Sequence, residues 1–154
     1  MNKEDAIQSI KDHILLVRDN MGQITSDLTQ RSLHHDQCKL ETPEVEAFTE
    51  YLPRMMAVKF GTPEYEECRR SLGPALIHHY SISDHHPEYK EFNGKIENMN
   101  LCQLCELLSD WKAANISHAS RTFEESLQYC FVKYEVSENF QNLLRSTARY
   151  LGWL

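Results

Sequence analysis

Histidine and aspartate residues able to bind a metal recur along the chain: His13, His35-Asp36, His79, His85-His86 and Asp110. Neutral imidazole and carboxylate suit divalent ions, and one or two ions drawn from Mn, Fe, Co, Ni, Zn or Mg are expected. Structural zinc fits less well, because such sites usually include cysteine thiolates. Taken singly, a histidine at the edge of an apolar helix face is more often a packed boundary residue than a ligand. The set is more telling. Of eight histidines, six fall in the pairs 34–35, 78–79 and 85–86, each beside an expected helix end or loop. Asp110 sits among leucines, where a carboxylate is costly unless it is paired or coordinating.

The elements that must position these residues read as helices. Five glycines and five prolines punctuate 154 residues, and no alternation of the strand type persists. Ile7, Ile10, Ile14, Val17 and Met21 step by three and four, predicting an amphipathic helix over 4–20 with His13 at the edge of its buried face. A second helix is expected over 25–36, carrying His35-Asp36 near its end. Thr42-Pro43 and Thr62-Pro63-Glu64 read as helix starts. The first of these carries Val45, Phe48 and Leu52, with a kink expected at Pro53. The second runs through Leu72 and Leu76 to an inward-facing His79. Residues 83–98 form the longest expected loop. Asn100 caps a helix bearing Leu101, Leu104, Leu108 and Trp111, and two more helices follow over 121–134 and 137–150. The expected fold is all-α: one domain spanning 1–154, a bundle of about six or seven helices.

Composition narrows the function classes. A net charge of −7 argues against a nucleic-acid-binding face, which needs clustered Lys and Arg. It leaves room for a small phosphorylated substrate, since bound cations dominate a local field. No stretch is apolar enough for a membrane span or a signal segment. Five irregularly spaced cysteines fit a reducing compartment, so a cytoplasmic protein is expected. Cys102-x-x-Cys105 lies inside an apolar helix and reads as packing rather than as a zinc or redox pair.

The order His13, His35-Asp36, His79, His85-His86, Asp110 resembles the HD-domain superfamily of metal-dependent phosphohydrolases, over residues 13–112. His35-Asp36-Gln37-Cys38-Lys39 looks like its His-Asp-x-x-Lys variant, in which the lysine is associated with phosphate. The segment from His79 to Glu88 is similar to a His-x-x-x-Asn-x-His-His pattern in a small HD-like group of bacteria and phages. Ser83 stands where that group has Asn.

The resemblance implies two ions bridged by Asp36. His13, His35, Asp36 and Asp110 would hold one. Asp36, His79 and His85 would hold the other, with His86 as ligand or outer support. Asp36 and Lys39 would be catalytic groups, with Lys39 meeting the substrate anion. By position, Glu88 could donate a proton or orient a ligand, and Lys112 and Arg121 could meet the anion, although each of those two reads first as a surface charge. The expected activity is hydrolysis of a small phosphorylated metabolite, a nucleotide first and a 5′-monophosphate in particular. A di-iron oxygenase and a helical binding protein with a vestigial site are the alternatives. Oligomeric state is not legible at this level.

Overall fold

The computed structural model describes residues 2–59, 61–118 and 121–154, and among these the fold is all-α with seven α-helices and no strand. None of the described helices is long and apolar enough to cross a membrane. The chain divides into two compact units, Met1–His35 and Asp36–Leu154.

The first unit is α1, a single helix over Lys3–His34. It opens on a reciprocal cap: the Asn2 side chain accepts from the Asp5 N–H (2.9 Å) and the Asp5 carboxylate accepts from the Asn2 N–H (3.2 Å). The expected break after residue 20 is absent. Gly22 lies within the helix, where one glycine costs only about 1 kcal/mol relative to alanine. Cooperative hydrogen bonding on both sides carries the helix through it. The expected burial of its apolar face is also absent, for α1 holds no buried residue.

The second unit begins with Asp36, whose φ is 56°, followed by a 3-10 turn over Gln37–Leu40. Aspartate tolerates this left-handed conformation better than most residues. Helix α2 (Glu44–Met56) contains Pro53 without ending there. The helix expected after Thr62 is two helices, α3 (Pro63–Ser71) and α4 (Gly73–Ile82). The division falls at Gly73, whose φ of +47° is a backbone state that side-chain-bearing residues rarely adopt. The stretch expected as a long loop is a run of packed turns. Amide to carbonyl bonds link His86 to Ser83, Tyr89 to His86 and Phe92 to Tyr89, and a 3-10 turn follows over Ile96–Asn98.

Helix α5 (Leu101–His118) starts where Asn100 and Gln103 cap each other reciprocally. Thr122 and Glu125 do the same for α6 (Phe123–Lys133), and α7 spans Glu138–Tyr150. The main core joins Phe92, Ile96 and Met99 of the turns to Leu104, Leu107 and Leu108 of α5, Phe123, Leu127 and Phe131 of α6, and Leu144 and Ala148 of α7. A smaller core of Met55, Tyr65 and Leu72 lies between α2, α3 and the start of α4.

Candidate metal centre

Four side chains of the second unit point ligand atoms at one another: Asp36, His79, His85 and His86. Asp36 owes its position to the left-handed turn, and His79 to the last turns of α4, where it is buried as its spacing from Leu72 and Leu76 predicts. His85 and His86 enter from the turn after α4. His79 Nε2 lies 2.8 Å from His86 Nε2 and 3.4 Å from Asp36 Oδ1, and His85 Nε2 lies 3.3 Å from Asp36 Oδ1. Donors bonded at about 2.1 Å, with angles between right-angled and tetrahedral, stand roughly 3.0–3.4 Å apart. The two edges to Asp36 fall at that spacing and the His79–His86 edge is shorter, and all four ligand atoms lie within 4.8 Å of one another, a cluster of a size to hold a divalent cation.

Electrostatics favours the ligand form of the rings. Burial, followed by the Lys39 ammonium, pushes His79 below its ordinary pKa. Burial, followed by the neighbouring His85 and His79, holds His86 well below the usual imidazole range. Both rings are therefore neutral at pH 7 and keep lone pairs to offer.

Two carboxylates that sequence reasoning missed stand behind the rings, one buried and one half-buried. Glu44, fully enclosed, places Oε2 3.1 Å from His79 Nδ1 and Oε1 2.8 Å from His78 Nδ1. Glu106 places Oε1 3.2 Å from His85 Nδ1. With Nε2 given to a cation, each Nδ1–H donates to its carboxylate, which fixes the tautomer and ring direction and raises ligand basicity. Glu106 had a visible signal. Gln103, Glu106 and Asp110 are spaced by three and four on α5, a polar stripe beside the buried Leu104, Leu107 and Leu108. Gln103 donates to Asp84 (2.7 Å), Glu106 meets His85, and a carboxylate oxygen of Asp110 lies within 4.8 Å of one of Asp36. Glu44 had none, since an acidic residue after Thr42-Pro43 looks like ordinary helix-start chemistry. Cys38 Sγ also approaches His79 Nδ1 (3.2 Å), but burial and then Glu44 raise its thiol pKa and keep it protonated.

The remaining expected residues fall out differently. His86, weighed as outer support, stands inside the cluster with His85. His13 is exposed on α1, and one uninterrupted helix sets it about 33 Å along the axis from His35, so a single ion does not take both. The two-helix expectation had hidden that separation. His35 caps the end of α1, and its peptide bond to Asp36 keeps the two Cα atoms about 3.8 Å apart.

Lys39 is ion-paired with Asp36 and lies over the Phe48 ring at 5.3 Å. Glu88 is turned towards α6, accepting from the Tyr134 hydroxyl (2.9 Å) with Lys133 Nζ at 3.6 Å. Lys112 packs over Phe123 (4.9 Å) and Arg121 over Tyr129 (5.6 Å), so both serve the α5–α6 corner. Cys102 and Cys105 are free thiols, as packing residues would be.

A cavity of about 130 Å³ reaches His86 and Asp110. Tyr65, Tyr80, Trp111 and Tyr134 wall it, and the cations Arg69 and Lys133 line it together with the carboxylates Glu66 and Asp110. Arg69 is held by Glu66 (2.8 Å) and the Tyr80 hydroxyl (3.2 Å).

No curated protein and no solved structure matches this chain. A family model described as "Family of unknown function (DUF5662)" matches residues 2–150, which takes in every residue of the cluster. The chain therefore belongs to DUF5662.

Proposed function

We propose that this protein is an HD-type metal-dependent phosphohydrolase acting on a small phosphorylated metabolite, with nucleoside monophosphates the first candidates. The observation that carries the proposal is the convergence of Asp36 with His79, His85 and His86, three imidazoles and a carboxylate whose ligand atoms lie within 4.8 Å of one another. A divalent ion held there supplies Lewis acidity towards water and phosphoryl oxygens.

The protein's own groups do the rest. Glu44 and Glu106 hold His79 and His85 in the tautomer that leaves Nε2 free. Lys39 has three ammonium donors, of which Asp36 engages one, and those remaining suit an anion meeting the centre. The adjoining cavity has tyrosine and tryptophan walls that restrict water.

The same donor set suits iron that changes valence, which keeps an oxygenase as the second reading. Anaerobic assays of nucleoside monophosphates with Mn²⁺ or Mg²⁺ separate the two. Release of inorganic phosphate is expected, and its loss in Asp36→Ala supports the assignment to this centre. Turnover seen only with iron and O₂ replaces hydrolysis by oxygenation. A protein that takes up no metal under any condition has a vestigial centre, and both readings fail.

A further inference from the structure

The unbroken course of α1 changes the meaning of its apolar residues. Ile7, Ile10, Ile14, Val17 and Met21 are joined in the same register by Ile24 and Leu28, because the helix runs through to His34. Seven consecutive positions then alternate by three and four, the a and d places of just over three heptads, which reaches the length at which such a pattern denotes a coiled coil. The flanking positions are polar: Lys11, Arg18 and Thr25 on one side, His13, Asn20 and Asp27 on the other. Asp5, Asp12 and Asp19 recur on the outermost line, opposite the seam. Leu15 and Leu16 are the apolar exceptions outside it. A helix that packs on a globular core needs a wider apolar face, whereas a seam limited to a and d fits one facing helix.

Six of the seven seam residues are exposed, from 42% for Ile7 and Val17 to 62% for Met21. A matching partner must offer a seam of about 32 Å. Among the described helices of the second unit the longest is α5, with 18 residues; its Leu104, Leu107 and Leu108 are already closed into the core, and Leu101 at its start is exposed. The helix of matching length and pattern is α1 of another molecule.

We propose that the protein self-associates through α1, its Ile7–Leu28 seam packed on the same seam of a second copy. The β-branched Ile10, Val17 and Ile24 at the d places bring further chains within reach of the same contact.

The test is the solution mass of the full chain by light scattering across a concentration series. A mass of twice 18.1 kDa, or a higher whole multiple, is expected. Ile14→Ala with Ile24→Ala keeps helix propensity but empties two layers, and should raise the dissociation constant about thirtyfold or more. Asp12→Asn with Asp19→Asn, on the outer line, should leave the mass unchanged. Circular dichroism and the fluorescence of Trp111 and Trp153 check that each variant is folded. If the alanine pair does not fold, Met21→Lys serves in its place. A mass of 18.1 kDa at every concentration overturns the proposal, as does an assembly that all folded seam variants retain.

Discussion

In α1, Ile10, Ile14, Leu16 and Met21 are each more than half exposed, whereas in Asp36–Leu154 Ile96, Leu107, Leu127 and Phe131 are closed off from solvent. Both regions carry helical apolar periodicity, and only the second buries it. The difference lies in punctuation. Gly73, the turns of 83–98 and the capped starts at Asn100 and Thr122 break the second region into helices of 9 to 18 residues, short enough to set apolar faces against one another. Such packing also encloses polar groups, and those enclosed between the 3-10 turn, α2, α4 and α5 are the ligand cluster and its carboxylates. Helix α1 runs unbroken through its one glycine, Gly22, so its periodicity marks a face without supplying a partner. Periodicity identifies what is to be buried, and chain reversal decides whether the same molecule buries it.

The largest effect expected from this contrast is on metal. Asp36→Ala or His79→Ala should abolish bound divalent ion in elemental analysis, while His13→Ala on α1 should leave it intact. Equal metal loss in His13→Ala and His79→Ala would break the distinction between the regions.

Packing comes next. Leu107→Ala empties a fully enclosed site and should cost about 2–5 kcal/mol in denaturant unfolding. Leu15→Ala, exposed and outside the α1 seam, should stay within about 0.5 kcal/mol.

A smaller effect is expected where the carboxylates act through the rings. Glu44→Gln and Glu106→Gln should each weaken metal affinity about 10–100-fold in calorimetric titration without removing a ligand. Affinity unchanged in both would reduce these carboxylates to packing.

The smallest effect concerns pH. His79 and His86 have folded pKa values below their unfolded one, so below about pH 6.5 the unfolded chain binds more protons than the folded chain. Stability of the metal-free protein is therefore present above that pH and declines as pH falls through it. Thermal melts between about pH 7.5 and 5.5 should show Tm falling with acidity, and a flat or rising Tm would contradict neutral rings.

The sequence by itself determined the all-α class, the starts of the later helices and the identity of most candidate ligands. Helical spacing, proline and capping residues act within a few positions of one another and need no knowledge of distant contacts. His79 was legible as inward-facing for that reason, and Asp110 as lying beside the apolar face of α5. Tertiary structure decided the rest. Glu44 became part of the centre only because α2 packs against α4, bringing it 3.1 Å from a histidine 35 residues away. His86 joined His85 because the turn after α4 folds both rings back on His79, which pair order in the chain does not specify. His13 fell far from His35 because nothing between them stops the helix, and at 1.5 Å per residue a continuous helix separates what two shorter ones would have let meet.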